Sequence, residues 1–234
     1  MEEPEPLAAF YFDLASPLAY LAAERVLHVL PGPAEWRPVL AGELAAHPPA
    51  PDPPAPSPPA ARDGARSPRA RAHGAEEPPA PDSPALRDRV EREARELGLQ
   101  PLRWPRPFPF DSTLAMRAAT YAASIGRAVP FAQAAFRQAF AGGHSLADAD
   151  YVLIAAAACE MHPAAVLRGA QLRATRERLA QTTALAARAG VREVPAVLVP
   201  LRGVAGERVF DGERALERAA AAMSSSDDAG ALAR

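Results

Sequence analysis

A serine followed directly by a proline, Ser16-Pro17, is the pair in this chain best suited to chemistry. Serine caps the free amides of a helix, and proline fits the first turn, where its missing N–H is not needed. The start of a helix carries a partial positive charge of about half a unit, which favours an anion such as a thiolate. The pair therefore predicts either an anion-stabilising hydroxyl at a helix start or an ordinary helix cap.

Few other residues offer a nucleophile or a metal ligand. The single cysteine, Cys159, excludes an intramolecular disulfide, a Cys-X-X-Cys redox pair and a cysteine-type zinc site. Cys159 follows a run of alanines and is predicted to be a buried apolar residue. The five histidines show no ligand spacing, so no metal site is predicted. The absence of lysine excludes a P-loop and Schiff-base catalysis, so any thiol chemistry must use a thiol that the chain binds.

Length, charge and hydropathy indicate the number of domains and exclude several classes of protein. The sequence has 234 residues, 49% of them hydrophobic, which suits one medium domain or two small ones with a real core. A formal charge of −2 provides no electrostatic surface for nucleic acid. The acidic first residues and the lack of a long apolar run predict neither a signal peptide nor a membrane span, and hence a cytoplasmic protein.

The spacing of apolar residues predicts the elements that position Ser16. Short apolar runs predict strands, and three- and four-residue spacing predicts helices. The predicted strands are 7–13, 35–40, 194–199 and 207–210, and the predicted helices are 16–30, 86–97, 112–125, 130–141, 148–159, 164–172, 175–189 and 213–223. This order predicts an α/β fold, a thioredoxin-like sheet domain interrupted by an inserted all-helical domain.

Composition separates these elements from two further segments. Residues 47–84 hold 13 of the 27 prolines and no Val, Ile, Leu, Met or aromatic residue. Such a segment can bury nothing to offset an ordering entropy of about 1–2 kcal/mol per residue, so a disordered insert is predicted. The end of the chain, 223–234, is predicted to be a disordered tail. The remainder divides into a thioredoxin-like domain, 7–46 with 190–222, and a helical insertion domain, 85–189.

Several stretches resemble the DsbA-like family, and more closely its branch of 2-hydroxychromene-2-carboxylate isomerases and kappa-class glutathione transferases. The matching stretches are 10–25, 36–42, 108–117, 136–140 and 190–196. In this branch Ser-Pro replaces the usual Cys-Pro. The resemblance implies a glutathione cofactor whose sulfur accepts a hydrogen bond from Ser16, which lowers the pKa of the thiol. It also implies a small aromatic substrate and a homodimer.

The resemblance assigns further residues to glutathione. Val194-Pro195 is expected to form a cis peptide that faces Ser16 and pairs the Val194 backbone with the cysteinyl unit of glutathione. The alternative for this pair is a trans proline at the start of an edge strand. Asp211 or Glu213 would hold the ammonium group of glutathione and Arg214 its carboxylate, although ordinary helix capping explains these residues equally well.

The resemblance also predicts a substrate wall and a reaction. The wall would consist of Trp104, Phe108, Phe110 and Met116, although simple packing of a loop onto the core is the alternative. The predicted activity is a glutathione-dependent isomerase of the 2-hydroxychromene-2-carboxylate type, in which the bound thiolate adds reversibly to a conjugated substrate. A kappa-like glutathione transferase and an inactive DsbA-like binding protein are the alternatives.

The chain departs from the resembled branch in two respects. The stretch Ser16-Pro17-Leu18-Ala19 contains no sulfur, which excludes a dithiol oxidoreductase. The Lys and Asn that relatives carry just after the second strand are absent, and the proline-rich insert stands in their place.

Overall fold

A four-stranded sheet forms the base of the fold in the described part of the chain. The computed structural model describes residues 7–46, 82–201 and 206–231. The strands are β1 (Ala8–Phe12), β2 (Ala34–Pro38), β3 (Ala196–Pro200) and β4 (Glu207–Asp211), in the order β2-β1-β3-β4. β1 and β2 are parallel, and β3 runs antiparallel to both β1 and β4. β2 lies at the edge and ends at Pro38, where a proline interrupts no further pairing.

Helices surround this sheet and fill the sequence between its two halves. They are α1 (Pro17–Val29), α2 (Ala41–Leu44), α3 (Pro84–Glu96), α4 (Thr113–Ser124), α5 (Ala128–Phe140), α6 (Ala149–Ala157), α7 (Pro163–Gln171), α8 (Arg173–Arg188) and α9 (Ala215–Ala231). Helices α3 to α8 lie between β2 and β3 in sequence, so the predicted sheet with a helical insertion is confirmed. The sequence did not predict α2, because four residues are too few to show a helical period.

Strand β1 is buried on both of its faces, which explains its continuous apolar run. Phe10 and Phe12 belong to the larger core, which packs against α1, α4 and α5. Tyr11 belongs to a smaller core on the opposite face, together with Ala186 and Ala187 of α8. Successive side chains of a strand point to opposite faces, so β1 contributes residues to both cores. Its end, which leads to the start of α1, is therefore fixed on both sides.

The end of the described chain differs from the prediction. Helix α9 continues to Ala231, where the sequence predicted a disordered tail from residue 223. Within this helix, Ser225 Oγ donates to the Ala221 carbonyl, one turn earlier, at 2.8 Å. Residues 47–81 of the predicted insert, and residues 232–234, lie outside the described residues. The division into domains stays a prediction.

None of the helices in the described ranges is both long enough and apolar enough to cross a membrane.

Candidate active site

Ser16 lies in the turn between β1 and α1, at one end of the sheet. Its backbone is extended, and its Oγ accepts a hydrogen bond from the Ala19 N–H at 3.1 Å, so it caps α1. The same Oγ donates to the Val194 carbonyl at 3.3 Å, across 178 positions of sequence. Pro17 fills the first helical position, and the N–H of Leu18 has no intrahelical acceptor. Ser16 is therefore a helix cap whose hydroxyl also faces another loop.

That second loop contains the predicted cis proline. The Val194-Pro195 peptide is cis, which confirms the prediction. The Pro195 carbonyl accepts a hydrogen bond from the Gly212 N–H at 2.9 Å, which connects the loop to the end of β4. The structure thus brings Ser16 and Val194, which are far apart in sequence, into direct contact.

A cavity of about 570 Å³ opens beside Ser16 and Val194. Its walls come from the start of α1, from α2, from the start of α3, from the loop before α4 and from the loop before β3. The apolar part of the lining includes Leu18, Leu40, Leu86, Pro109 and Phe110. A volume of this size is typical of small-molecule sites.

Asp13 is a polar residue of this cavity that the sequence analysis missed. Its side chain is almost fully buried, and its two carboxylate oxygens accept hydrogen bonds from the Ala15 and Ala41 N–H groups, each at 2.9 Å. Burial raises the pKa of Asp13, against hydrogen bonds from Ala15, Ala41 and Ser112 that lower it. Asp13 therefore connects the turn before Ser16 to α2 and to the cap of α4. The sequence could have indicated this role, because Asp13 is a carboxylate at the end of a buried apolar strand and lies three residues before Ser16.

The remaining charges in the cavity are mostly negative. Glu43, Asp111 and Glu193 line it with Asp13, and Arg192 is the basic side chain among its described lining residues. Burial and, next, the charge of Asp211 raise the pKa of Glu193. A hydrogen bond from the Thr113 side chain lowers the pKa of Asp111. Apart from the helix start and Arg192, the described lining opposes a negatively charged ligand.

The structure separates the four residues of the predicted substrate wall. Phe110 lines the cavity beside Ser16, but Met116 is fully buried, and its sulfur accepts a hydrogen bond from the Leu14 N–H at 3.2 Å. Trp104 and Phe108 pack against each other and against Phe140 instead. Trp104 Nε1 also donates to Glu91 at 2.7 Å, which holds the ring against α3. Trp104, Phe108 and Met116 therefore do not line this cavity, and their role in a substrate wall stays a prediction.

The predicted anchors for the γ-glutamyl end of glutathione also lie outside the cavity lining. Asp211 accepts a hydrogen bond from the Arg192 N–H at 3.1 Å, and Glu213 pairs with Arg89 at 3.1 Å. Arg214 lines a separate cleft between α1, α3 and α9. Each of the two acidic residues is thus engaged by an arginine that the sequence pattern did not connect with it.

The sequence matches the model of a known protein family. The model of the DSBA-like thioredoxin domain matches residues 64–224, which is more than half of the sequence and includes Pro195 but not Ser16. The chain belongs to the DsbA-like family. No curated protein matches the chain. The four-stranded sheet with its helical insertion is accordingly a DsbA-like thioredoxin fold.

Solved structures with this DsbA-like fold cover nearly the whole chain. A 2-hydroxychromene-2-carboxylate isomerase matches with a TM-score of 0.69 and 16% identity, covering 98% of this chain and 100% of its own. A probable DsbA oxidoreductase from Streptomyces coelicolor matches with a TM-score of 0.62 and 15% identity, covering 94% of this chain and 88% of its own. The cytosolic disulfide reductase DsbM from Pseudomonas aeruginosa with GSH matches with a TM-score of 0.55 and 15% identity, covering 94% and 98%. At these identities the likeness concerns the fold alone.

Proposed function

We propose that the protein is a glutathione-dependent isomerase similar to 2-hydroxychromene-2-carboxylate isomerase. The observation that carries the proposal is the position of the Ser16 hydroxyl, at the start of α1 and 3.3 Å from the Val194 carbonyl, on the wall of a ligand-sized cavity. Cys159 does not line this cavity, so the chain brings no thiol of its own to it. The thiol that reacts in this DsbA-like fold would therefore come from bound glutathione and not from a cysteine of the chain.

Ser16 and its neighbours suit the cysteinyl part of glutathione. When bound, glutathione would supply a nucleophilic thiol for reversible addition to a conjugated double bond, without net redox change. Ser16 would turn its hydroxyl from the Val194 carbonyl toward the sulfur, and the Leu18 N–H would offer a second donor. Both groups stabilise a thiolate more than a thiol, because each donates a hydrogen bond at a helix start. The Val194 backbone would pair with the cysteinyl amide.

The lining of the cavity offers partners for the two ends of glutathione other than Asp211, Glu213 and Arg214. Glu43 and Glu193 line the cavity and carry the charge that suits the ammonium group. Arg192 carries the charge that suits a carboxylate, either of glutathione or of the substrate. We therefore assign these roles to the cavity residues rather than to Asp211, Glu213 and Arg214.

The apolar wall suits a small aromatic substrate. Phe110, Leu18 and Leu86 form an apolar surface in the same cavity as Ser16. A flat ring packed on Phe110 would exclude water from the thiolate, which strengthens the electrostatic contribution of the helix start.

Glutathione binding tests this proposal first. Titration calorimetry should detect binding to the wild type at millimolar glutathione or below, weaker binding to Ser16→Ala and near-wild-type binding to Ser16→Thr, which keeps the hydroxyl. No binding to the wild type at millimolar glutathione would contradict the proposal and favour an inactive binding protein.

Turnover separates the isomerase from the transferase. With glutathione present, a hydroxychromene carboxylate should be isomerised without consumption of the thiol. Conjugation of an aromatic chloride, with loss of free thiol and no isomerisation, would contradict the isomerase and favour a kappa-like transferase.

A further inference from the structure

Arg192 is the basic side chain of an otherwise acidic cavity. The described lining of the cavity beside Ser16 carries four carboxylates, which are those of Asp13, Glu43, Asp111 and Glu193. These groups repel a carboxylate of a bound ligand, whereas the guanidinium of Arg192 attracts it. Besides the start of α1, Arg192 is therefore the group in the described lining that decides whether and where a carboxylate binds.

The guanidinium of Arg192 is held in place and still has free donors. Its Nη1 donates to the Ala187 carbonyl at 3.2 Å, in the last turn of α8, where the helix end favours a cation. No carboxylate within 7–46, 82–201 or 206–231 forms an ion pair with it. The side chain is exposed, so its remaining N–H groups are open to a ligand. Such a guanidinium can bind a carboxylate through two parallel hydrogen bonds.

Asp211 holds the backbone of Arg192. Its Oδ2 accepts a hydrogen bond from the Arg192 N–H at 3.1 Å. Asp211 is the last residue of β4 and pairs with β3, so the sheet fixes its position. The next residue, Gly212, donates its N–H to the Pro195 carbonyl at 2.9 Å. The end of β4 therefore holds the loop 192–195 at both of its ends, and Asp211 is the contact at the Arg192 end.

We propose that Arg192 selects ligands that carry a carboxylate and that Asp211 is a positioning residue, which acts through Arg192 and does not itself contact the ligand. This inference rests on the proposed function, because the carboxylate belongs either to the glycyl end of glutathione or to the substrate. The γ-glutamyl carboxylate shares a carbon with the ammonium group of glutathione. The glycyl carboxylate has no such neighbour, so it meets the acidic lining without a compensating charge and needs Arg192.

Calorimetry with glutathione and with its glycyl ethyl ester tests the first source of the carboxylate. The ester keeps the thiol and the ammonium group and removes the charge of the glycyl end. If Arg192 binds this end, Arg192→Gln should weaken the binding of glutathione by about tenfold and change the binding of the ester by less than about twofold. The matched control Arg188→Gln changes an exposed arginine in the last turn of α8, outside the cavity lining, and should leave the binding of both ligands unchanged.

Turnover at saturating glutathione tests the second source. The substrates compared are a hydroxychromene carboxylate and its carboxamide, which has the same shape without the charge. If Arg192 binds the substrate, Arg192→Gln should raise the KM for the carboxylate by about tenfold, while kcat changes by less than about twofold. The KM for the carboxamide should stay unchanged. Arg188→Gln again serves as the control and should alter neither substrate.

Two variants of Asp211 test its positioning role on whichever ligand depends on Arg192. Asp211→Ala removes the acceptor of the Arg192 N–H and should weaken the binding of the charged ligand, but not of its neutral counterpart, by at least about threefold. Asp211→Asn keeps an acceptor oxygen and should recover most of this loss. Because Asp211 acts through Arg192, Asp211→Ala should cause no further loss in the Arg192→Gln background.

The outcomes that would overturn this inference differ from those that contradict the proposed function. If the wild type binds glutathione but Arg192→Gln distinguishes neither glutathione from its ester nor the carboxylate substrate from its carboxamide, the role of Arg192 is refuted and the proposed function stands. Equal losses in Asp211→Ala and Asp211→Asn would refute the role of Asp211. A wild type that does not bind glutathione would contradict the proposed function and this inference together.

Discussion

Replacement of Asp13 by asparagine should destabilise the protein measurably, because the carboxylate connects three segments around the cavity. Its oxygens accept hydrogen bonds from the Ala15 and Ala41 N–H groups, each at 2.9 Å. Asparagine has one acceptor oxygen, so its amide donor would face one of these N–H groups. An unpaired buried N–H costs about 1–3 kcal/mol, and loss of the buried charge offsets part of this cost. We expect Asp13→Asn to lower the free energy of unfolding by about 1–2 kcal/mol.

Urea unfolding at several pH values measures this effect and its sign. Burial raises the pKa of Asp13 in the folded state above the ordinary value of 3.8. Its contribution to stability is thus fully present below that ordinary value and is lost as the pH rises through the raised pKa. The advantage of the wild type over Asp13→Asn should therefore shrink as the pH rises from 3.8 through that raised pKa, because the cost of burying the charge then counts against the hydrogen bonds that the carboxylate accepts.

Asp111→Asn is the matched control for this experiment. Asp111 lines the same cavity but is exposed, and asparagine can still accept the hydrogen bond that the Thr113 N–H donates at 2.8 Å. It should change stability by less than about 0.5 kcal/mol. If Asp13→Asn were as stable as Asp111→Asn at every pH, Asp13 would not hold the segments together.

Three further predictions concern packing and reactivity. Gly169→Ala would place a Cβ against the Tyr121 ring between α4 and α7 and should cost about 1–3 kcal/mol in urea unfolding, whereas Gly42→Ala, with open space around it, should cost less than about 0.5 kcal/mol. Gly212 has a φ of +81° beside Glu193, so Gly212→Ala should cost about 1–2 kcal/mol, and an unchanged unfolding midpoint would refute this. Cys159 is buried, and burial raises its pKa, so Ellman's reagent should modify it at least about tenfold more slowly in the native protein than in urea; equal rates would contradict this.

Local rules were enough to predict the elements around Ser16. The cap and the proline of α1 follow from residue types that act within one turn, and Pro38 lies at a strand end because it cannot donate to the ladder. The cis state of Val194-Pro195 was expected from the family resemblance and not from the residues themselves. The order of strands and helices then brought Ser16 and Val194 together.

Tertiary contacts, which the sequence does not show, determine which of the predicted aromatic residues line the cavity. Trp104, Phe108 and Phe110 share one proline-rich loop and are equally apolar, yet only Phe110 of the three lines the cavity. Trp104 is held elsewhere by Glu91 and by the Arg87 guanidinium 4.5 Å from its ring. No local pattern shows which of several similar residues finds such partners.

The acidic residues show the same limit. Glu213 was predicted to hold a ligand, but its partner Arg89 lies in α3, more than a hundred positions earlier. Asp13 lies in the stretch 10–25 that resembles the DsbA-like family. Its role, however, depends on hydrogen-bond donors in α2 and at the cap of α4, which only the fold brings together. The burial and the partners of these carboxylates depend on the fold and could not be predicted from their residue types.

The pKa of the thiol of bound glutathione tests the central claim most directly. It can be measured from the ultraviolet absorbance of the thiolate as a function of pH, on the wild type, Ser16→Ala and Ser16→Thr. A hydrogen bond to a charged group contributes about 1.5–3 kcal/mol, which corresponds to about 1–2 pKa units. We predict a bound thiol in the wild type with a pKa well below about 8.5, the value for free cysteine, a rise of about 1–2 units in Ser16→Ala, and a value in Ser16→Thr close to the wild type. A bound thiol that titrates near 8.5 in the wild type, or identically in Ser16→Ala, would contradict the account.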